Sequence, residues 1–363
     1  MTEPTEVAIR QALASVIEPL LCRDLESLQM VKQIAIAGGE VTVHVVLPTP
    51  AYLFRDELAQ AIRLAVAKLP GVTGVKSEFA AQVVKRSNRP DTGRASAVKN
   101  IIAVAAGKGG VGKSTVATNL ALALHAWGAK VGILDADVYG PSVPTMLGEP
   151  EVPATAKSGA KIQPAVHWGI QVMSIGFFAG KEDAVVWRGP MIHKLLQQFL
   201  EDVEWGDLDY LVVDLPPGTG DAQLSLSQLI PITGAVMVTT PQEVALIDVV
   251  RAVAMFKKVE IPVLGVVENM AYYVCPGCGH HDEIFDRGGG RRLAEQLGVT
   301  FLGEVPIDSK VRFGGDSGRP VVVSAPASEH GRIFMEIAAK VAGRIVVMTH
   351  NAPKRPAGLS MIR

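Results

Sequence analysis

The first 85 residues combine helix-like and strand-like hydrophobic patterns, which predict a small α+β unit. Apolar residues recur at helical spacing over residues 7–21 and again over residues 55–69. Between them, residues 31–47 carry two apolar runs separated by a Gly-Gly turn, and the second run alternates as a half-buried strand does. A short strand is expected near residues 72–79. Together these patterns predict a domain over residues 1–85.

A different pattern begins near residue 98, where short apolar runs alternate with helical stretches. The preceding segment, residues 86–97, is polar, contains Pro, Gly and Ser, and is interpreted as a flexible linker. Over residues 98–346, the repeated order of strand and helix predicts an α/β domain with a doubly wound, mostly parallel sheet. The last segment, residues 347–363, lacks apolar periodicity and is expected to be disordered.

Composition narrows the functional classes. The formal net charge of −1 argues against a general nucleic-acid binder, which needs excess Lys and Arg to displace counterions. No apolar run reaches the roughly 18 residues of a membrane-spanning helix, and the acidic start lacks the apolar centre of a signal peptide. Three cysteines are too few for a disulfide framework. The sequence therefore predicts a cytoplasmic protein with no membrane or nucleic-acid partner.

The segment Gly107–Ser114, with the sequence GKGGVGKS, matches the phosphate-binding P-loop pattern. An apolar run precedes it and a helical stretch follows it, as that motif requires. Its glycines let successive backbone N–H groups face one phosphate, Lys113 supplies a positive charge for the β- and γ-phosphates, and the Ser114 hydroxyl can ligate Mg²⁺. A Gly-rich turn without a ligand is the alternative. The predicted ATP-binding residues of this segment are Gly107, Lys108, Gly109, Gly110, Val111, Gly112, Lys113, Ser114 and Thr115.

Acidic residues follow two further apolar runs. Asp135 and Asp137 end the run KVGILDAD, Asp214 ends DYLVVD, and Asp221 lies beyond a Gly-rich loop. Ligands of open α/β sheets bind at the carboxyl ends of the strands, where a carboxylate can hold Mg²⁺ or orient water. The alternative is a solvated aspartate that caps a helix.

The pair Cys275 and Cys278, in the sequence CPGC, can ligate one metal centre. Pro276 and Gly277 favour a turn over the helix start that a thioredoxin-like redox pair needs. With no second such pair in the chain, two copies would bring four thiolates together, enough for a bridging [4Fe–4S] cluster. The adjacent His280 and His281 keep zinc open as an alternative, and chemistry alone leaves both possible.

The second lysine of the P-loop, Lys108, extends the motif to KGGVGKS. This segment resembles that of the deviant Walker A ATPases, which include MinD, ParA, the nitrogenase iron protein and the Mrp family (also called ApbC). The resemblance implies a homodimer in which Lys108 reaches the nucleotide of the partner subunit and stabilises charge during hydrolysis. It also implies that Asp137 activates water and that Asp135 and Asp214 act near Mg²⁺. Lys108, Lys113 and Asp137 are thereby the expected catalytic residues.

The stretch over residues 265–321, with ENMAYYVCPGCG and FLGEVPIDSKVRFGGDSGRPV, resembles the Mrp family of iron–sulfur cluster carriers. The resemblance implies that Cys275 and Cys278 hold a labile [4Fe–4S] cluster at the dimer interface. It further implies slow ATP hydrolysis, transfer of the cluster to apo-proteins, and contact of Asn269 with the adenine. The alternative is a MinD- or ParA-like positioning ATPase with structural zinc. Pro353 and Pro356 in the tail disfavour the C-terminal amphipathic helix of MinD-type proteins.

The N-terminal unit resembles a small domain of iron–sulfur assembly factors, through the pattern of residues 20–46 and the segment LPTPAYLFRDEL. Many members carry a cysteine shortly after the T-P, where this chain has Ala51 and Tyr52. No cluster chemistry is therefore assigned to this unit. Its role is expected to be contact with partners during delivery, and a purely structural appendage is the alternative.

Overall fold

The computed structural model describes residues 3–86, 95, 97–138, 140–148, 161–178 and 189–352 of the 363-residue chain. It divides into two compact units, Met1–Asn88 with Ala342–Arg363, and Arg89–Val341. None of the helices in the described ranges is both long enough and apolar enough to cross a membrane.

The first unit is built on a three-stranded sheet. The order is β3-β4-β5, with β3 antiparallel and β5 parallel to the central strand. Alternate residues of β4 are buried, as its alternating sequence predicts. Up to residue 88 the elements are α1 (Glu6–Leu13), β1 (Ile17–Glu18), β2 (Arg23–Asp24), β3 (Val31–Ala37), β4 (Glu40–Leu47), α2 (Arg55–Val66) and β5 (Gly74–Ala81).

The predicted helix over residues 7–21 is wrong beyond Leu13, where α1 ends. Pro19 has no N–H to donate, and its ring disfavours helical backbone angles at Glu18. Glu18 instead accepts the backbone N–H groups of Leu20 (3.1 Å) and Leu21 (2.6 Å). The chain therefore turns here and forms the short ribbon of β1 and β2.

The place of the cysteine found in many assembly domains is buried in this chain. Ala51 is 1 % exposed and Tyr52 is 2 % exposed. The Tyr52 hydroxyl donates a hydrogen bond to the carboxylate of Glu18, which is wholly buried. Burial, together with this carboxylate, raises the pKa of Tyr52 well above its usual range. Tyr52 thus supports the fold of this unit by satisfying a buried charge.

Replacing Tyr52 with phenylalanine is expected to destabilise the first unit by about 1–3 kcal/mol, because the Glu18 carboxylate loses a hydrogen-bond donor while staying buried. The measurement is amide hydrogen exchange of β4 in the full-length protein. Tyr273→Phe is the matched control, since no hydrogen bond of the Tyr273 hydroxyl is found among the described residues. Unchanged protection of β4 in Tyr52→Phe would contradict the proposed role.

The second unit follows the predicted alternation of strand and helix. The predicted fold class, an α/β doubly wound and mostly parallel sheet after a small α+β domain, is confirmed. From residue 100 the elements are β6 (Asn100–Ala106), α3 (Lys113–Ala126), β7 (Val131–Asp135), α4 (Val143–Leu147), β8 (Ala165–His167), β9 (Ile170–Ser174), α5 (Gly189–Glu201), β10 (Tyr210–Asp214), α6 (Asp221–Leu229), β11 (Gly234–Thr239), α7 (Glu243–Lys258), β12 (Val263–Val274), β13 (His281–Asp282), α8 (Gly289–Leu297), β14 (Phe301–Ile307), α9 (Ser309–Asp316), α10 (Val321–Ser324) and α11 (Glu329–His350).

The sheet places β6 at its topological switch point. Among the described residues the strand order is β13-β12-β11-β6-β10-β7-β9-β8, and β14 pairs with β12. β6 lies between β11 and β10, and all seven of its residues are buried, which explains its unbroken apolar sequence. The crevice beyond the carboxyl end of such a strand is the usual ligand site of this fold.

The structure describes only parts of the predicted linker and of the predicted tail. Of the linker expected over residues 86–97, the structure describes Arg86, Ala95 and Ala97, so that prediction lies mostly outside the described residues. The expected disorder of residues 347–363 is wrong over residues 347–350, because α11 continues to His350. Val347 and Met348 are half-buried there and extend the apolar face of the helix. Residues 353–363 lie outside the described residues.

Candidate functional site

The P-loop lies where the motif predicts, between the end of β6 and the start of α3. Gly110 and Gly112 have φ angles of 83° and 81°, which residues with a Cβ rarely adopt. A Cβ at Gly107 would overlap the backbone of Asp248 on α7. Glycine is therefore required at these three positions, and the loop can turn its N–H groups toward an anion at the N-terminus of α3.

Lys113 lies at the centre of the site and is 6 % exposed. Its Nζ is 2.6 Å from Asp214 Oδ1, 3.3 Å from Asp137 Oδ2 and 3.3 Å from Ser114 Oγ. A buried ammonium is stable only with such partners. The structure thus brings together the lysine, the serine and two of the acidic residues that the sequence predicts.

The predicted acidic strand ends are confirmed, since β7 ends at Asp135 and β10 ends at Asp214, directly opposite each other. Both carboxylates are fully buried. Burial and the nearby charge of Asp214 raise the pKa of Asp135 to about 7. Burial also raises the pKa of Asp214, and the Lys113 ammonium opposes that rise.

The two buried carboxylates differ in their hydrogen bonds. Asp135 accepts the N–H groups of Asp137 (3.2 Å) and Val143 (3.2 Å) and the hydroxyl of Ser174 (3.0 Å), so it fixes the loop that carries Asp137. Asp214 Oδ2, in contrast, is buried and has no hydrogen-bond partner among the described residues. An unpaired buried carboxylate oxygen near the Ser114 hydroxyl fits the oxygen-ligand chemistry of Mg²⁺.

Other residues predicted to bind the nucleotide lie in the P-loop and at the start of α3. Lys108 is half-buried and forms no ion pair with any residue that the structure describes. Gly109 is exposed, and Thr115 is half-buried in the first turn of α3. α6 begins at Asp221, whose side chain lies outside the described part of the molecule. Their roles in catalysis and binding stay predictions.

Asn269 contacts the P-loop itself. Its Nδ2 donates a hydrogen bond of 2.9 Å to the backbone oxygen of Val111, and the side chain is buried. The predicted contact of Asn269 with the adenine stays a prediction, and its contact with Val111 was not foreseen from the sequence. No sequence signal pairs Asn269 with Val111. The hydrogen bond of Ser174 to Asp135, in contrast, could have been found by considering the end of every strand.

The two cysteines lie in the turn between β12 and β13. Cys275 is half-buried and Cys278 is exposed. The turn is closed by hydrogen bonds from Cys275 N to His280 O (2.9 Å) and from Gly279 N to Cys275 O (2.8 Å). Backbone N–H groups of Gly277 and Cys278 lower the pKa of the Cys275 thiol, which favours the thiolate that binds metals.

The geometry supports a metal-binding turn over a redox pair, because the cysteines open no helix. His281 packs against the Tyr272 ring, with 5.5 Å between ring centroids. Among the described residues, no group of three or more His, Cys, Asp or Glu side chains could hold a metal ion. One copy of the described chain therefore supplies two thiolates and an incomplete ligand set.

Comparison with known proteins decides the family. A family model described as an iron-transfer P-loop NTPase of the NUBPL type matches residues 97–342, and an iron–sulfur cluster assembly model matches residues 6–77. The chain belongs to this iron-transfer P-loop NTPase family. The resemblance to iron–sulfur carriers predicted from the sequence is thereby confirmed.

Curated members of the family match almost the whole chain. An iron–sulfur cluster carrier protein of Deinococcus radiodurans is 47 % identical over 94 % of this chain and 96 % of its own. One from Escherichia coli is 43 % identical over 94 % of this chain and 93 % of its own. Both units of the protein thus have counterparts in these iron-transfer NTPases.

Solved structures support the fold of the second unit. A nucleotide-binding protein of Archaeoglobus fulgidus, solved with ADP, is 42 % identical with a TM-score of 0.56, over 62 % of this chain and 89 % of its own. MinD of Pyrococcus furiosus is 23 % identical with a TM-score of 0.51, over 67 % of this chain and 98 % of its own, and shows the fold alone. The iron-transfer NTPase therefore shares the MinD-like P-loop fold.

Proposed function

We propose that this protein is a cytoplasmic ATPase that carries a [4Fe–4S] cluster between two copies of its chain and delivers it to apo-proteins. One observation carries the proposal. The same unit contains a P-loop with two lysines and a turn with two thiolates, and among the described residues no third metal ligand joins that turn. The curated relatives are named as cluster carriers, which supports the same cargo.

The homodimer follows from the ligand count. A [4Fe–4S] cluster takes four thiolates, and Cys275 with Cys278 supplies half of them. A two-fold axis beside the turn would bring the same turn of a second copy opposite the first and complete the set. The cluster is the cargo, so exposure of Cys278 suits its release to an acceptor.

The residues of the nucleotide site divide the work of hydrolysis. P-loop N–H groups and Lys113 bind the phosphates, while Ser114 and Asp214 would hold Mg²⁺, which would neutralise phosphate charge. Asp137 orients the water that attacks the γ-phosphorus, and the bond to the β–γ bridging oxygen breaks to release ADP. Lys108 of the second copy stabilises the charge that develops, and turnover is slow because it waits on dimer assembly.

A transfer assay tests the function. The protein is reconstituted anaerobically with iron and sulfide and mixed with an apo-ferredoxin that requires a [4Fe–4S] cluster. The acceptor is expected to gain its cluster faster from the carrier than from an equal concentration of free iron and sulfide. Stable zinc in place of iron, with no transfer, would favour the alternative of a MinD- or ParA-like positioning ATPase.

Mixing two inactive variants tests whether Lys108 acts on the partner's nucleotide. Lys108→Ala and Asp137→Ala are each expected to bind ATP but to hydrolyse it at least about tenfold more slowly. In a mixed dimer, the chain with Lys108→Ala keeps its own Asp137 and receives the lysine of the other chain. An equal mixture should therefore recover about a quarter of the wild-type rate, since half of the dimers contain one complete site.

The control for this mixing experiment is Lys108→Ala alone at the same total concentration. No recovery in the true mixture, with dimers demonstrated by light scattering, would mean that Lys108 acts within its own chain.

A further inference from the structure

Two neighbouring residues of β12, Glu268 and Asn269, connect the P-loop to the segment that carries the cysteines. Asn269 donates a hydrogen bond to the P-loop. Glu268 accepts hydrogen bonds from Gly288 and Gly290, which follow the cysteine turn in the chain. The nucleotide site and the cysteine turn are therefore joined through one peptide unit of β12.

Asn269 contacts a peptide group of the P-loop whose N–H would bind a phosphate. Its Nδ2 holds the Val111 carbonyl at 2.9 Å, and that carbonyl shares a planar peptide group with the N–H of Gly112. A Cβ at Gly112 would overlap Asn269 Nδ2, so the two are in direct contact. A phosphate that draws the Gly112 N–H toward itself must rotate the carbonyl that Asn269 holds.

The carboxylate of Glu268 anchors the residues that follow the segment with the two cysteines. Its carboxylate is wholly buried, accepts the N–H of Gly288 at 2.8 Å, and accepts the N–H of Gly290 in the first turn of α8. A carboxylate at the N-terminus of a helix is favoured by the helix dipole as well as by these bonds. The segment between Asn269 and Arg287 thus begins next to Glu268 in the chain, and the carboxylate of Glu268 holds the residues that follow its end.

Side-chain contacts of Tyr272 stabilise the segment that carries the cysteines. The Tyr272 ring stacks with the His281 ring, with 5.5 Å between ring centroids, and the Arg287 guanidinium lies 4.4 Å from the Tyr272 ring centroid. Its hydroxyl donates to Glu329 at 3.1 Å. β12 departs from regular strand geometry at Met270, with φ of 57°, in the second of the two places where its register with β14 shifts. Asp286, with φ of 70°, is a second irregular residue near the other end, and a segment held together by side-chain contacts between two such residues can tilt as a unit.

We propose that Glu268 and Asn269 are positioning residues that transmit the nucleotide state of the P-loop to the cysteine turn, so that bound nucleotide changes the exposure of Cys275 and Cys278. This inference rests on the proposed function and adds to it the route by which ATP controls cargo release. A rotation at the Val111–Gly112 peptide shifts Asn269, and Glu268 carries the shift to both ends of the segment.

The test uses the full-length protein without a cluster, so that it does not depend on cargo transfer. Alkylation of Cys278 by iodoacetamide is timed by mass spectrometry, without nucleotide and with saturating MgADP. In the wild type the nucleotide is expected to change the alkylation rate by about fivefold or more, the lower range of coupling between sites. In Glu268→Gln, whose amide cannot accept both N–H groups, the rates with and without nucleotide should agree, while MgADP still binds.

Asp209→Asn is the matched control, because Asp209 also accepts a backbone N–H, that of Lys130 at 2.9 Å, away from the site. It should keep the wild-type response. If Glu268→Gln does not fold, Asn269→Asp serves as the second variant, since its carboxylate cannot donate to Val111, and its response is measured at saturating nucleotide.

Two results would overturn the proposal. One is an equal rate of Cys278 alkylation in the wild type with and without MgADP. The other is a variant that retains the wild-type response, which would assign the effect to contact between subunits. Iron loading of untreated aliquots of the same preparations separates this failure from failure of the proposed function, because a carrier without this coupling still binds iron.

Discussion

ATP hydrolysis is expected to fall by at least about 100-fold when Lys113 is replaced by alanine, because its ammonium is the buried cation that the P-loop offers to the phosphates. The Lys113 Nζ lies 2.6 Å from Asp214 Oδ1 in the buried site. Removing it leaves a buried carboxylate without its cation, which also weakens nucleotide binding. Phosphate release at saturating MgATP measures the first effect, and equilibrium dialysis with labelled ATP measures the second.

The matched control is Lys99→Ala, which removes another paired lysine of the same unit. Its Nζ is 2.8 Å from Asp209 Oδ1, outside the P-loop. This variant should hydrolyse ATP near the wild-type rate. Wild-type hydrolysis in Lys113→Ala would show that the nucleotide site lies elsewhere.

Replacing Cys278 with serine is expected to remove the iron–sulfur cluster while sparing ATP hydrolysis. The thiolate is an exposed ligand in the turn between β12 and β13, and a serine hydroxyl stays protonated and does not replace it. After anaerobic reconstitution, the wild type should hold about four iron per dimer with absorbance near 400 nm, and the variant should hold almost none. Iron analysis and visible spectroscopy measure the difference.

The third cysteine supplies the control. Cys22 is exposed in the first unit, and Cys22→Ser should load iron as the wild type does. Equal iron in wild type and Cys278→Ser would contradict the site, whereas loss of iron in Cys22→Ser would bring the first unit into cluster binding.

The sequence predicted those parts of the site that depend on local patterns. The P-loop could be recognised because a buried strand, a Gly-rich turn and a helix follow one another directly. Asp135 and Asp214 could be placed because strand ends in a parallel sheet converge. The fold class followed from the same alternation of strand and helix.

The contacts that were missed join distant parts of the chain. Asn269 and Val111 are 158 positions apart, and nothing in either local sequence indicates the other. Glu268 resembles any charged residue next to a strand, yet it is fully buried because Gly288 and Gly290 satisfy it. Long-range pairing of this kind depends on the packed fold.

The ion pair between Lys113 and Asp214 also means that the P-loop lysine of the protein without nucleotide is already paired with a carboxylate. We expect MgATP to bind by an exchange of counter-ions, in which Asp214 would hold the metal and Lys113 would pair with the phosphates. ATP without its metal meets a lysine that is already engaged. We therefore expect the site to bind the magnesium complex in preference to the free nucleotide, with an affinity that depends less on ionic strength than the charge of ATP alone would suggest.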